Sequence, residues 1–600
     1  MIGIENCFAI STATGILAPM VIPAQRQSLH PWKTILLHGI FGLMLVMAWY
    51  FFKERLYEDS AYFIFHVIDS GAFVVPNDRI VLYFSQILSL AVFYLGGNLH
   101  TILLTWSLSH VLFYYLLFIF IYHVHRNEAG GIAIVLIQSI GLIWIYYSPM
   151  FEICYGAALL VVFSVLLDEK KFTSKRLFWL IVLETFVLTS HPENFVLFFF
   201  VIISDMIRNG FRKKVHITFF IVMIACIIFK TLTFSDYEGG KLGYMLNLDQ
   251  NHLYKNLWDK SYMAGVLGIF IDHYRILFIF LLLSVVTMML RRRWKLLALT
   301  CFCVGGLIIL INATNYAGVF TRNIESLYYP VVVLITIIFL REFYILLSGR
   351  TRMIAFIALI LISGIYLNTI RINGEYLKLR TFQLEEMVNA SRKEGLRKSL
   401  IRLENVEKER WALNWSYPME TLLLSSLDGP ANTVSLITDE DFDYRDTTIA
   451  LTPYRFILRR WEIRDNSNLL QFFNMKYGDY IPLNNVDSGI ANEPFTGKIS
   501  LALKPEKSLE AYSRIFVPVE VSNNSGKKIP SLPIDKNYFQ VHVSNEDQSS
   551  STQIPIDIDI SDRYMEVVSC PLNGIKKPWN ISVRMLIGGQ EVAAASSVIN

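Results

Sequence analysis

Directly after the first strong apolar run the chain reads Lys53-Glu54-Arg55-Leu56-Tyr57-Glu58-Asp59-Ser60-Ala61-Tyr62, a dense group of charges with two adjacent carboxylates, Glu58 and Asp59. A carboxylate held where an apolar phase meets water suits general-base chemistry, in which a proton is drawn from an acceptor hydroxyl beside a lipid-borne donor. If residues 56–66 are helical, Asp59 and His66 lie seven apart on one face, with Tyr62 and Phe63 between them. The stretch continues through Asp69-Ser70-Gly71 and Pro76-Asn77-Asp78-Arg79. Asp59 or Glu58 then serves as base or metal ligand with His66 and Arg79 near it. The same residues also read as a solvated juxtamembrane strip, and residue type alone leaves both readings open.

Two further groups could join them. Ser190-His191-Pro192-Glu193-Asn194 places a His and a Glu at a short bend between apolar runs, with Glu152 expected on the same side. Pro and Asn are turn formers, so a plain polar turn is the alternative. Thr321-Arg322-Asn323-Ile324-Glu325 opens a late apolar run, and Arg322 and Glu325 are three apart, the spacing of a local ion pair at a helix start. The sharper reading gives Arg322 a phosphate, whose oxygens match the guanidinium fork. A long mixed loop at 232–262, with Tyr237 to Lys241 and Asp249 to His252, is suited to covering a site. No phosphate-binding loop, nucleophile elbow, HExxH or dinucleotide fingerprint occurs, which argues against hydrolases and nucleoside triphosphatases.

The elements that must position these residues are mostly apolar helices. The 600 residues are 54% hydrophobic and 14% aromatic, with mean hydropathy +0.42 and net charge +4, and nothing in that balance points to nucleic acid. Runs near 35–52, 80–96, 100–122, 131–147, 153–167, 177–190, 195–207, 215–231, 275–290, 296–312, 328–346 and 353–369 are candidate membrane spans. Basic loops around Lys170 to Arg176, Arg208 to Lys214, Arg291 to Lys295 and Arg350 to Arg352 set these sides cytoplasmic. Counting from Arg26 and Lys33 leaves the parity wrong by one. Either one run is re-entrant or interfacial, or a span is hidden in 60–75, so eleven or thirteen crossings fit. The Met1–Ala24 stretch lacks a basic start and makes a poor signal peptide.

After residue 370 the texture changes. Residues 375–412 mix charges with Leu and Met at helical period, Pro418 opens a short helix stopped at Asp428-Gly429-Pro430, and Thr433–Thr438 alternates like a strand. From about 497, short alternating runs separated by Asn, Gly and Ser turns predict a β-sandwich. The expected organisation is a cytoplasmic segment (1–34), a membrane domain (35–370), an extracytoplasmic α/β connecting region (371–496) and a β-sandwich (497–600). Cys154, Cys226, Cys301 and Cys303 sit in apolar runs as packing residues, and the soluble part has one cysteine, too few for a disulfide framework.

This layout resembles the GT-C class of integral-membrane glycosyltransferases, which includes protein O-mannosyltransferases, aminoarabinose lipid A transferases and oligosaccharyltransferases. Those enzymes place an acidic residue in the first outer loop after the first span, as Tyr57-Glu58-Asp59-Ser60 does, and Thr321-Arg322 to Tyr328-Tyr329-Pro330 is similar to the Arg/Tyr-rich start of a late span in several of them. The chain also looks like a family of polytopic membrane proteins from Bacteroidetes-type bacteria. Glu58-Asp59 reverses the Asp-Glu order of many GT-C relatives, and no WWD-like acceptor motif occurs, so the resemblance implies a single-sugar transferase over an oligosaccharyltransferase. It implies an enzyme of the bacterial inner membrane with its C-terminal domain in the periplasm. Catalysis would fall to Asp59 or Glu58, with His66, Arg79, Glu152, His191, Glu193, Arg322 and Glu325 around the substrate. The partners would be a polyprenyl-phosphate-linked sugar donor, a glycan, lipid or protein acceptor and membrane lipids, with room for a divalent metal. The competing functions are a transporter or flippase of lipid-linked glycans, which should show internal repeats, and a non-catalytic membrane assembly protein.

Overall fold

The computed structural model describes residues 30–600 except 169–171, 234, 236–238, 240–259, 315–321, 402–414, 439–454, 460–461, 466–468, 475–479, 484–498, 505–508, 512–513, 525–537, 546, 556–562, 573–574, 588–589 and 600. The N-terminal stretch to Ala24, the loop residues Lys241 and Asp249 to His252, and Thr321 therefore lie outside the described residues.

Among the described residues, fourteen α-helices precede the first strand: α1 (Pro31–Tyr50), α2 (Asp59–Ser70), α3 (Tyr83–Tyr94), α4 (Leu99–Ile119), α5 (Glu128–Ile140), α6 (Glu152–Leu167), α7 (Ser174–Ser190), α8 (Glu193–Asn209), α9 (Lys213–Leu232), α10 (Lys260–His273), α11 (Arg275–Leu290), α12 (Trp294–Thr314), α13 (Arg322–Glu342) and α14 (Gly349–Lys393). Among the described residues, six helical stretches are long and apolar enough to cross a membrane: Pro31–Tyr50, Leu99–Val124, Lys213–Leu232, Trp294–Asn312, Arg322–Leu346 and Gly349–Lys393. They match six of the expected spans. The runs at 80–96, 131–147, 153–167 and 275–290 form shorter apolar helices, and those at 177–190 and 195–207 form α7 and α8, each of 17 residues. The long helices turn large apolar side chains outward, among them Ile35, Leu43 and Val46 on α1, Ile221, Ile224 and Ile228 on α9, and Leu361 and Ile365 on α14. Water would penalise so continuous an apolar exterior.

The basic loops gather at one end of this bundle. Lys33 at the start of α1 and Arg352 at the start of α14 both meet Glu128 at the start of α5, at 2.9 and 3.3 Å. Arg208 and Arg293 meet Glu342, and Arg341 meets Asp168. At the opposite end Lys378 reaches Tyr50, Tyr147 donates to the Ile370 carbonyl, and Lys230 donates to the Asn77 carbonyl. These contacts mark the two ends between which the long helices run.

The run at 80–96 starts and finishes at one end of the bundle. Arg79 before it pairs with Glu152 at the start of α6, and His100 after it meets the Phe52 ring edge-on, so both flanks lie at the same end. No span lies in 60–75 either. Helix α2 is 12 residues long and packs Phe65 against Phe456 and Phe473 of the C-terminal half.

One 45-residue helix, α14, replaces the expected last span and separate surface helix. At 1.5 Å per residue it is about 67 Å long, far beyond a bilayer core of about 30 Å. Its Gly374 sits against Phe51 and Tyr147, where a Cβ would fall 2.3 Å from the Tyr147 hydroxyl, so the close crossing needs a glycine. Beyond it, β1 (Lys398–Ile401) lies between β2 (Ser435–Thr438) and β5 (Ile481–Pro482) in a parallel three-stranded sheet. Helix α15 (Tyr417–Ser426) packs on α2 and α14, and β3 (Arg455–Arg459) and β4 (Glu462–Asp465) form a hairpin. Leu384, Met387, Leu422 and Leu423 join Ile64 and Phe65 in one core, which welds this region to the bundle's end.

The last region holds β6 (Ile499–Leu503), β7 (Leu509–Ala511), β8 (Arg514–Asn523), β9 (Tyr538–Ser544), β10 (Ser549–Pro555), β11 (Arg563–Pro571), β12 (Trp579–Ile587) and β13 (Gln590–Ile599). Sheets ordered β10-β9-β12-β13 and β11-β8-β6, with β7 beside β8, close on one core of Val517, Val519, Val541, Val543, Ile581 and Val583. Alternate residues of β12 are buried, the two-residue period read from the sequence. This is the expected β-sandwich.

Candidate functional site

The bundle end opposite the basic loops collects the chemistry. Arg322, the first residue of α13, is buried, and its Nη2 lies 2.8 Å from an Asp59 carboxylate oxygen and in ion-pair contact with Glu58. Its Nη1 donates to the Ser148 hydroxyl at 2.8 Å. The Tyr57 and Phe151 rings lie 5.3 and 5.2 Å from the guanidinium carbon. One guanidinium thus faces two carboxylates, leaving the group one negative charge in excess when both are ionised. The carboxylates are also the open part of the group, with 19% of the Glu58 side chain and 32% of the Asp59 side chain exposed. Glu58 has φ 50° and ψ −120°, a conformation that a side-chain-bearing residue rarely adopts and that costs of order 1–3 kcal/mol. Asp59 begins α2, whose N-terminal amides favour negative charge.

Three devices hold this arrangement. Glu325 makes no pair with Arg322. It accepts the backbone amides of Ile143, Trp144 (2.7 Å) and Ile145 (3.0 Å) instead. Those amides lie where α5 has ended, seven residues short of its expected reach, so Glu325 holds the 141–151 segment, helical only in a 3-10 turn at Ile145–Tyr147, that delivers Ser148 and Phe151. Arg55 is the second device and is wholly buried, not solvated. It donates to the carbonyls of Tyr146 and Ser107 and to His110 Nδ1, and its own carbonyl accepts from Ser60. The turn bearing Glu58 and Asp59 is thereby fixed to α4. The third device comes from beyond the bundle: the Glu58 amide donates to Glu420 of α15 at 3.0 Å, and Arg380 of α14 pairs with Glu420.

The other expected residues fall into separate places. Arg79 and Glu152 form an ion pair adjoining Phe151. His66 turns away from Asp59: it meets the Tyr62 ring edge-on and lies 3.4 Å from Glu462 and 3.4 Å from Arg464, while Arg464 also faces Asp69. A helix does form over Asp59–Ser70, but its His66 face is taken up by the β3–β4 hairpin. His191 Nδ1 accepts the Glu193 amide at 3.3 Å, a polar turn opening α8. A Glu193 oxygen is buried there without a hydrogen-bond partner. Among the described residues no three His, Cys, Asp or Glu side chains come together in a metal-ligating group, and Glu58 and Asp59 offer two carboxylates around a guanidinium.

Arg55, Arg380, Glu420 and Ser148 were not singled out by the sequence reading. Arg55 stands within the charged run but its burial is not legible there, and the others carry no local signal. Comparison with protein-family models, curated proteins and solved structures finds no match for the chain. Any likeness to GT-C transferases therefore rests on layout and on this site.

Proposed function

We propose that the chain is an integral-membrane glycosyltransferase of GT-C type, which moves a sugar from a polyprenyl-phosphate-linked donor to a hydroxyl acceptor outside the cytoplasm. The observation that carries this is the contact of Arg322 with Glu58 and Asp59 across more than 260 positions of sequence. It joins a phosphate-matching guanidinium to a base at one end of an apolar bundle. The basic loops at the other end support an inner-membrane orientation with Arg350 and Arg352 in the cytoplasm and residues after α14 in the periplasm.

In this mechanism the acceptor hydroxyl gives its proton to Asp59, with Glu58 as the alternative base. The acceptor oxygen bonds to the anomeric carbon as the bond from that carbon to the donor phosphate oxygen breaks. The electron pair leaves on the phosphate, whose growing charge is met by Arg322 once the donor has displaced a carboxylate from it. A dissociable lipid tail would lie along the outward apolar surface of the helices. The test uses membranes bearing the full chain and a panel of radiolabelled polyprenyl-phosphate monosaccharides, and reads release of polyprenyl phosphate. Asp59→Asn keeps the size and removes the base, so release should fall about 10²- to 10⁴-fold at unchanged expression. Near-wild-type release by both Asp59→Asn and Glu58→Gln sinks the assignment of the base, and no release from any donor by the wild-type chain sinks the transferase reading.

A further inference from the structure

We infer that Glu420 and Arg380 are positioning residues: the region beyond the bundle holds the acidic pair in its working conformation. This rests on the site read above but concerns how that site is made. Glu58 cannot relax into ordinary backbone geometry without moving its amide, and that amide is held by a Glu420 oxygen at 3.0 Å. Glu420 is itself fixed. Arg380 Nη2 donates to it at 3.0 Å, a second Arg380 nitrogen and the Ser416 hydroxyl add further bonds, and Arg380, Glu420 and Ser416 are all buried. Burial works against the Arg380 charge, yet Glu420 outweighs it and keeps the guanidinium pKa above its ordinary value. The Arg380 guanidinium lies 4.9 Å from the Tyr57 ring centre, the ring that Arg322 also approaches. Tyr57, Glu58 and Arg322 are thus tied to α14 and α15 through one chain of buried contacts. A carboxylate–amide bond of this kind is charge-assisted and stronger than a neutral one, which suits it to retain a strained residue. The site is therefore complete only when α15 is docked. This arrangement also gives the otherwise costly buried Arg380–Glu420 pair a role, because such pairs by themselves contribute little to net stability.

The experiment is hydrogen exchange read by mass spectrometry on the full-length protein in detergent, following peptides that cover residues 53–62. Glu420→Ala should speed exchange at the Glu58 amide about ten- to hundredfold while peptides from α1, α4 and the sandwich keep their wild-type protection. Glu420→Gln retains an acceptor oxygen and should restore most of the protection. If Glu420→Ala unfolds α15, Arg380→Lys loosens Glu420 without removing it and should give an intermediate rate. Wild-type exchange at Glu58 in both Glu420→Ala and Arg380→Lys overturns the inference. The polyprenyl-phosphate release assay separates this result from the transferase reading. Faster exchange together with release lowered in kcat and unchanged in donor KM supports both. Faster exchange in a chain that releases nothing even as wild type leaves the positioning role standing and the transferase reading overturned.

Discussion

The two ends of the bundle use the same ingredients, arginine and carboxylate, in opposite proportions. At the basic end two buried carboxylates, Glu128 and Glu342, are saturated. Glu128, with 3% of its side chain exposed, is held by Lys33, Arg352 and the Tyr344 hydroxyl, and Glu342, with 1% exposed, by Arg208 and Arg293. At the other end one guanidinium is shared by two carboxylates, which keep part of their surface in solvent, and Glu58 is strained. Cations in excess around a buried acid make a clamp that fixes helix ends. Acids in excess around a buried cation leave a proton acceptor and a partly satisfied guanidinium, the two parts on which the proposed transferase rests.

Substitutions at the two ends should therefore fail in different ways. The largest effect is the loss of turnover in Asp59→Asn described above, with thermal stability nearly unchanged; a drop in melting temperature as large as the one next described would erase the contrast. Glu128→Ala should instead destabilise the fold by about 3–5 kcal/mol, because Lys33 stays buried without its partner, while donor release per folded molecule remains near wild type. Denaturant titration of both variants in the same detergent decides this.

A pH test sharpens the same comparison, since the turn before the site includes an acid whose burial works against its charge. Glu54 is buried beside Lys53, Lys378 and Glu385, and burial pushes its carboxyl up from 4.5 to about 7. The folded state then takes up a proton that the unfolded state has lost, so this group's stabilisation is complete below pH 4.5 and disappears as pH rises toward 7. Glu54→Gln should flatten the stability profile across that window and raise stability at pH 8 by up to about 3 kcal/mol. An unchanged slope would show that Glu54 ionises freely. The smallest expected effect belongs to Arg322→Lys, which keeps the charge and loses the planar fork. Donor affinity should weaken about tenfold, measured as KM in the release assay, with a modest change in kcat. Unchanged KM in Arg322→Lys and in Arg322→Ala would make Arg322 a structural partner of the acids alone.

Much of the architecture was legible because it follows local pattern. Apolar runs gave helix positions within a few residues, as in Arg275–Leu290, and alternation gave β8, β9, β11 and β12. Places where the reading diverged are those where a distant residue intervenes. The run at 131–147 stops as a helix at Ile140 because Glu325 supplies acceptors for the amides at 143–145. The i, i+3 pairing of Arg322 and Glu325 gives way because each has a better partner elsewhere. The helix at 353–369 continues to Lys393 because nothing in the sequence breaks it and Gly374 permits a close crossing.

The sequence by itself determined that this is an apolar helical bundle followed by an α/β region and a β-sandwich, with an acidic pair at the end of its first long helix. Periodicity and composition act over neighbouring residues, and those features need nothing more. Only the tertiary structure decided that Asp59 meets Arg322 and not His66, that Arg55 is an anchor, that 80–96 begins and ends at one face, and that Glu420 holds Glu58. Each of these is a choice among partners far apart in the chain, made by burial: a charged or polar group removed from water must take the partner that packing places beside it, and spacing along the sequence does not carry that information.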